Sequence, residues 1–380
     1  MKFRTLRFLS SMLLAVLTLA IACAAAGSFT ATGSMEFARR RHTATRLANG
    51  RVLIAGGANG TGTLATAELF NPATGTFTRI GNMRSARVGH KATLLANGKV
   101  LVTGGTNATG TLATAELFDP ATGTFTRTGN MGTARVGHTA TLLGNGKVLV
   151  AGGGTARAEL FNPSTGVFTF TKNMIAARMG HTATLLKNGK VLLAGGTDSS
   201  GTALGDLFDP ATATFSPTAT GGTQALWLAA VLLQDGRVFL AGGELTTLIS
   251  GGSTRCCLFG PDSYALGILF RSSDESFFAA ADMPTSRAFH TATRLGDGEV
   301  LLAGGANVHS VPRLSTVYTS VTPLASAELF NPTTVTFTNT GNMTTARSWH
   351  TATLLGNGKV LVVGGVDASG NVLSTAELYQ

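Results

Sequence analysis

A pair of adjacent glycines recurs seven times along this chain, each time at the end of a short apolar run. The spacing between successive pairs ranges from 43 to 62 residues. The pairs are Gly56-Gly57, Gly104-Gly105, Gly152-Gly153, Gly195-Gly196, Gly242-Gly243, Gly304-Gly305 and Gly364-Gly365. A repeat of this length specifies one small structural unit used many times, so the chain must fold as an array or a ring of such units.

Each repeat is predicted to contain four short strands, as its second copy at residues 83–130 illustrates. The segments "HKATLL" and "KVLVTGG" flank an Asn-Gly turn, which favours a hairpin. The segments "AELF" and "TFTRT" flank the turn "DPATG". Beyond the N-terminal segment, we find no window with a helical period of useful length. Four antiparallel strands repeated about every 50 residues predict an all-β fold, a seven-bladed β-propeller.

The glycine pairs, together with a phenylalanine pair in the third and fourth strands, resemble the kelch repeat. Phenylalanine stands where that family often has Tyr and Trp, as in Phe70 and Phe77, Phe118 and Phe125, and Phe330 and Phe337. The resemblance covers residues 27–380. It implies a seven-bladed kelch-type β-propeller, similar to exported bacterial members of the superfamily that includes galactose oxidase. We therefore predict one domain over residues 23–380.

The two ends of the chain are predicted to complete one blade together. Residues 27–35, "GSFTATGSM", resemble the fourth strand of a repeat, such as "GTFTRIGNM" at 75–83, but have no third strand before them. The last repeat stops at "AELYQ", residues 376–380, and lacks a fourth strand. We expect the N-terminal strand to pair beside residues 376–380 as the outer strand of blade 7, which closes the ring and protects exposed strand edges.

A polar signature, Arg-x-x-His, precedes the first strand in six repeats, and an acidic residue begins the third strand. The Arg and His residues are Arg39, His42, Arg87, His90, Arg135, His138, Arg178, His181, Arg287, His290, Arg347 and His350. The acidic residues are Glu68, Glu116, Glu159, Asp206, Glu328 and Glu377. The fifth repeat replaces all three, with Ala225, Leu228 and Ile268. Because a buried charge left alone is costly, this joint loss favours one structural network over a metal site.

Two insertions between the second and third strands break the regularity of the repeat. They cover residues 244–266 and 306–326 of the adjacent fifth and sixth repeats, and we predict long loops on one face. The residues that we expect to contact a ligand are Arg255, Tyr264, His309, Arg313 and Tyr318. The alternative is that both insertions lack a partner.

The N-terminus is typical of a secretory signal. An apolar run at residues 8–22 follows the basic residues Lys2, Arg4 and Arg7, and small residues end this run. "AIAC" resembles a lipobox with Cys23 as the lipidated residue, whereas cleavage after Ala20-Ile21-Ala22 would release an unmodified protein. Both versions predict an exported protein that is periplasmic, attached to the outer membrane or extracellular.

Cysteine usage and charge exclude several classes of protein. Cys256 and Cys257 are adjacent, which permits a strained vicinal disulfide or two thiols, and their spacing does not fit zinc. The formal net charge is +10, but the basic residues are scattered over the repeats rather than clustered, so we expect no binding to nucleic acid. A membrane would be contacted through a lipid on Cys23 alone, and we expect a monomer.

Two enzyme classes within the resemblance are weaker interpretations than a binding protein. Copper radical oxidases of the galactose oxidase kind need a Tyr cross-linked to Cys, a second Tyr and two His ligands. This chain has no Tyr-His pair, and the nearest are Phe289-His290 and Trp349-His350. Kelch-type sugar mutarotases would need Arg, His and carboxylate groups that converge on the axis. We therefore expect a non-catalytic scaffold that binds a protein or a glycan, without catalytic residues, metal or cofactor, and keep a sugar-acting propeller enzyme as the alternative.

Overall fold

The computed structural model describes residues 27–196, 205–219, 223, 225–250, 257–313 and 316–380. The predicted signal segment at 1–22, Cys23, Arg255 and Cys256 lie outside the described residues. Within the described ranges, every regular element is a strand, and no helix is long and apolar enough to cross a membrane. The all-β prediction is confirmed.

Seven four-stranded antiparallel sheets form the blades. The innermost strands are Thr43–Arg46, Lys91–Leu94, His138–Leu142, Thr182–Leu185, Ala229–Leu232, Thr291–Arg294 and Thr351–Leu354. The second strands are Val52–Ala55, Val100–Thr103, Val148–Gly152, Val191–Ala194, Val238–Ala241, Val300–Ala303 and Val360–Val363. The third strands are Ala67–Asn71, Ala115–Asp119, Ala158–Asn162, Asp206–Asp209, Gly267–Arg271, Ala327–Asn331 and Ala376–Tyr379. The outer strands are Thr76–Arg79, Thr124–Arg127, Val167–Phe170, Thr214–Pro217, Ser276–Ala279, Thr336–Asn339 and Phe29–Ala31.

The blades form a closed ring around a central axis. The innermost strand of each blade contacts the innermost strands of the two neighbouring blades, and blade 7 contacts blade 1. Small Ala and Thr side chains on these strands leave room for seven strands to meet near the axis. The predicted seven-bladed propeller is therefore confirmed.

The ring closes through the two ends of the domain, as predicted. Phe29–Ala31 pairs antiparallel with Ala376–Tyr379, with Phe29 opposite Tyr379. The backbone N–H of Ser28 donates to the carbonyl of Gln380 at 3.0 Å, and the rings of Phe29 and Tyr379 lie 4.9 Å apart. Blade 7 is thus built from both ends of the described chain.

Apolar side chains fill the space between neighbouring blades. Leu53 of blade 1 lies in one buried cluster with Val100 and Phe118 of blade 2. In the same blade, Phe118 packs on Phe125 with ring centroids 4.9 Å apart. Burial of one such ring contributes roughly 1.5–3 kcal/mol, so apolar packing between blades stabilises the propeller.

The two insertions are β-hairpins rather than the predicted loops. Glu244–Ser250 pairs with Cys257–Ser263, and Ala306–Arg313 pairs with Thr316–Pro323. Strand pairing satisfies the backbone donors and acceptors that long irregular loops would leave to water. Two shorter hairpins stand at the equivalent place in blades 1 and 2, and they consist of Ala58–Asn59 with Gly62–Thr63 and Thr106–Asn107 with Gly110–Thr111.

Candidate ligand-binding site at the axial mouth

The recurring Arg and acidic residue form a buried ion pair within each of six blades. In blade 3, Arg135 donates from Nη2 to Oε1 of Glu159 at 2.8 Å and from Nη1 to the carbonyl of Gly152 at 2.6 Å. The second oxygen of Glu159 accepts the backbone N–H of Gly132 at 2.7 Å. The equivalent pairs are Arg39–Glu68, Arg87–Glu116, Arg178–Asp206, Arg287–Glu328 and Arg347–Glu377. These paired groups connect the segment that begins each blade to the second and third strands of the same blade.

The histidines lie apart from these ion pairs, at the interfaces between blades. Nε2 of His90 lies 3.0 Å from the hydroxyl of Thr43, the residue that follows His42 in the preceding blade. The same bond joins Thr139 to His181, Thr291 to His350, and Thr351 to His42. The sequence predicts one network of Arg, His and Glu, whereas five of the six histidines pair with a threonine instead.

Burial keeps these histidines neutral. It lowers the pKa of His90 to about 3, with the Arg87 charge as the second cause, and the pKa of His181 and His350 also lies at about 3. A neutral ring shares one hydrogen bond with the threonine hydroxyl without a buried charge. The first glycine of the preceding pair makes room for the ring, because a Cβ on Gly104 would lie 2.7 Å from Cε1 of His138 and 2.6 Å from the carbonyl oxygen of Arg135.

Blade 5 carries an apolar replacement of the whole set. Ala225, Leu228 and Ile268 lie in one buried apolar cluster. A Cβ on Gly195 would meet Leu228 and the carbonyl of Ala225, in the way that Gly104 faces His138 and Arg135, so the three residues occupy the equivalent places. The joint replacement leaves no charge buried alone.

The candidate site lies where the chain enters the seven innermost strands. The residue in this place has a positive φ, between 52° and 69°, in every blade. The seven residues are Arg41, Gly89, Gly137, Gly180, Trp227, Phe289 and Trp349. Backbone hydrogen bonds join five of the seven neighbouring pairs, for example from the N–H of Arg41 to the carbonyl of Trp349 at 3.1 Å. We call this closed set of residues the axial mouth.

Blades 5, 6, 7 and 1 place large side chains at the axial mouth, whereas blades 2, 3 and 4 have glycine. The Trp349 ring stacks on Phe289 at 3.8 Å and meets Trp227 edge-on at 5.4 Å. The guanidinium of Arg41 lies 3.7 Å from the centroid of the Trp349 ring, within cation–π distance. Both tryptophans of the chain are at the mouth. Non-glycine residues at positive φ are strained, and such strain is concentrated at functional sites.

A cavity of about 220 Å³ opens at the axial mouth and reaches the innermost strands. Arg41, Trp227 and Trp349 line one side of the cavity. Gly89 and Gly137 line the other side. Lys91 of the innermost strand of blade 2 also lines it. The aromatic rings and a cationic amine can together contact a small polar ligand that has one apolar face.

Larger grooves lie at the other end of the blades and are a feature of the repeat. A groove of about 560 Å³ contains Asp235 and Asp297, and grooves of about 400 Å³ occupy the equivalent turns between other blades. These grooves recur from blade to blade, whereas the residues of the axial mouth differ between blades, as a site specific for one ligand requires.

The two long hairpins stand beside the mouth and contact each other. The N–H of Glu244 donates to the carbonyl of Leu226, which places the first hairpin next to Trp227. The N–H of Ser310 donates to Oδ1 of Asp262 at 2.8 Å and joins the two hairpins.

The structure describes two of the five predicted ligand contacts with their side chains. His309 is exposed, with Nδ1 3.4 Å from Asp262, and the backbone of Tyr264 bonds to Gly243 and Arg287. Arg313, Tyr318 and Cys257 are described as strand backbone, their side chains lie outside the described part, and Arg255 and Cys256 lie outside it altogether. These five residues therefore stay a prediction.

The residues of the mouth were missed in the sequence, although they carry a signal. Each of them directly precedes the histidine or the leucine that replaces it. At this position, three repeats have glycine and the other four have Arg, Trp or Phe. In the sequence, Phe289-His290 and Trp349-His350 stand out only as departures from a Tyr-His pair. Their convergence requires knowledge that seven distant positions meet at one axis.

The comparisons with known proteins agree with this architecture. The Kelch motif model matches residues 39–84 and 87–132. No curated protein sequence matches the chain. Among solved structures, the fold is similar to a fungal alcohol oxidase of the AA5 family in complex with copper, with a TM-score of 0.72 and 18% identity over 93% of this chain and 76% of that one. At this identity the likeness concerns the fold, and the described residues contain no group of three or more His, Cys, Asp or Glu that could hold a metal.

Proposed function

We propose that this seven-bladed β-propeller, which matches the Kelch motif in its first two blades, is an exported, non-catalytic protein that binds a glycan at its axial mouth. The observation that carries the proposal is a cluster of four large side chains at positive φ. Arg41, Trp227 and Trp349 line the cavity, and Phe289 stacks on Trp349. Aromatic rings present flat apolar faces and edges to sugar rings, and the neighbouring polar groups fix the orientation.

The remaining polar groups of the repeat support binding rather than catalysis. The Arg and acidic residues are paired within the blades, and five of the six ring histidines bond to threonine through Nε2. A general acid or base must reach the substrate with a proton available to transfer. The Arg and acidic side chains and these histidines bond to each other or to neighbouring blades, so they are poorly placed to transfer a proton to a substrate.

A glycan array with three proteins tests the proposal. Trp349→Gly removes one ring and is compatible with the local backbone, because glycine occupies the equivalent place in blades 2, 3 and 4. The matched control is Phe170→Ala, an exposed ring on the outer strand of blade 3 that also contacts an arginine, Arg157, at 5.4 Å. We expect Trp349→Gly to weaken glycan binding at least tenfold and the control to bind as the wild type does.

Several outcomes would contradict the proposal. Equal binding by Trp349→Gly would remove the mouth as the site. A blank array combined with capture of one envelope protein would favour the protein-binding alternative. Turnover of a sugar, followed by NMR, would favour the enzyme alternative.

Export is a separate part of the proposal and has its own test. It is supported by the basic residues and apolar run of residues 1–22. Cell fractionation of the full chain and of a chain without residues 2–22 should place only the full chain outside the cytoplasm. Metabolic labelling with a fatty acid, with Cys23→Ser as control, decides between a lipid anchor and free secretion.

A further inference from the structure

Lys91 is a charged exception at the position that follows the histidine on the innermost strands. The residue after the histidine position is Thr in five blades and Ala in blade 5, but Lys in blade 2. The threonine hydroxyl at this place normally bonds to the histidine of the next blade, as Thr43 does to His90. The lysine therefore removes a bond that the interface between blades 2 and 3 would otherwise have.

A second exception restores that bond. Thr103 ends the second strand of blade 2, where five other blades have Ala. Its hydroxyl lies 3.0 Å from Nε2 of His138, so it replaces the hydroxyl that Lys91 lacks. Blade 5 lacks such a replacement: Ala229 offers no hydroxyl, and Nε2 of His290 has no hydrogen-bond partner within the described residues. The scaffold of blade 2 is thus complete without Lys91, which leaves its ammonium available for another purpose.

The cavity around Lys91 has positive charge and no acidic lining residue. Arg41 and Lys91 both line it, and neither side chain forms a hydrogen bond or ion pair with a described residue. Glu244 acts on Arg41 from beyond ion-pair distance. The Arg41 guanidinium lies on the Trp349 ring, so the N–H groups at its edge can bond to a ligand.

The side chain of Lys91 is half-buried and its ammonium is partly desolvated. Desolvation lowers the pKa of Lys91 from its ordinary value. The pKa of His138 is lowered mainly by desolvation, and the charge of Lys91 is the second cause. An anion beside Lys91 would offset the desolvation of this charge.

We propose that the cavity at the axial mouth binds the carboxylate of an acidic sugar, with Lys91 and Arg41 as its counter-ions and Trp227 and Trp349 beside the sugar ring. The inference rests on the proposed glycan binding and specifies the class of sugar. A cavity of about 220 Å³ corresponds to the liquid volume of roughly seven water molecules, which suits one sugar unit. A guanidinium and an ammonium suit a carboxylate because both form charge-assisted hydrogen bonds.

The test compares two probes that have the same sugar rings and differ only in whether the carboxyl groups are free or methyl-esterified. Trigalacturonate and its methyl ester have the same sugar rings, and the ester lacks the carboxylate charge. Calorimetric titration of the wild type should give at least tenfold tighter binding of the acid. Lys91→Thr restores the residue of the other blades and should abolish this preference, whereas the surface control Lys172→Ala should keep it.

The outcomes separate this inference from the proposed function. If glycans bind at the mouth but the acid and its ester bind equally, or if Lys91→Thr keeps the preference, the carboxylate site is wrong while glycan binding stands. If the glycan array is also blank, the proposed function fails together with the inference. A crystal structure of Lys91→Thr should show the blade interface unchanged, since Thr103 already serves His138.

Discussion

Removal of one partner from a buried ion pair should cost far more stability than removal of one from an exposed pair. Arg135 is fully buried and donates to Glu159, Gly152 and Arg157. In Arg135→Ala, the Glu159 carboxylate stays buried and loses its counter-ion. Loss of one partner from such a pair costs about 3–5 kcal/mol. Arg79 forms an exposed pair with Glu36, for which Arg79→Ala should cost at most about 1 kcal/mol.

The assay is urea unfolding of both variants, followed by far-ultraviolet circular dichroism and tryptophan fluorescence. Coincident transitions by the two probes are needed before a free energy of unfolding is assigned, because repeat proteins can lose cooperativity. If the two variants differ by less than about 1 kcal/mol, the structural role of the ion pair is refuted.

Blade 5 supplies a second variant for the same reasoning. Its apolar set suggests that Arg135→Ala/Glu159→Ile will recover part of the loss, since neither charge then stays buried alone. The free energies of unfolding of both single variants and of the double variant are therefore compared. If the losses of Arg135→Ala and Glu159→Ile simply add up in the double variant, the two side chains do not act together.

Three further predictions concern closure, pH and the interface of blades 5 and 6. Deletion of residues 24–33 removes the buried ring of Phe29 and should lower the melting temperature and cause aggregation, measured by calorimetry and light scattering; an unchanged melting curve would contradict it. The pKa of His90 is about 3 in the folded state and near 6.5 when unfolded, so the unfolded state binds more protons as pH falls. Stability is complete above about pH 6.5 and should decrease toward pH 3, by about 1.4 kcal/mol per histidine at pH 5.5; equal urea midpoints at pH 7.5 and 5.5 would contradict this. Ala229→Thr should stabilise the protein by about 0.5–1.5 kcal/mol because its hydroxyl can bond to Nε2 of His290, whereas Ala230→Thr, on the same strand, serves as the control.

The fold was predictable because the sequence repeats its own constraints. The glycine pairs mark the end of each second strand. Gly104 and Gly105 both have positive φ, and Gly104 faces the neighbouring blade whereas Gly105 faces Val88 and His90 of its own blade. Periodicity gave the number of blades, and the missing strand of the last repeat gave the closure by residues 27–35. Such information is local in the chain, so one sequence suffices.

The site was less predictable because its residues meet only in three dimensions. The joint loss in blade 5 groups Arg135 with Glu159, and the two form an ion pair. Five of the six histidines pair with a threonine, which the sequence does not distinguish from other small strand residues. The insertions drew attention because they are long, whereas the mouth is built from single substitutions inside a regular motif. The chemistry at one position of a repeat becomes visible when the seven copies are compared around the axis.

The four large side chains of the mouth are costly for the fold, which favours a functional role. Each non-glycine residue in the left-handed region costs roughly 1–2 kcal/mol, so Arg41, Trp227, Phe289 and Trp349 together cost about 4–8 kcal/mol. Their five mutual contacts return roughly 0.5–1.5 kcal/mol each, about 5 kcal/mol in total at the mean against about 6 kcal/mol of strain. Glycine in blades 2, 3 and 4 forms the same backbone ring without this cost. The asymmetric mouth fits the proposed ligand, which would contact unequal groups around the axis.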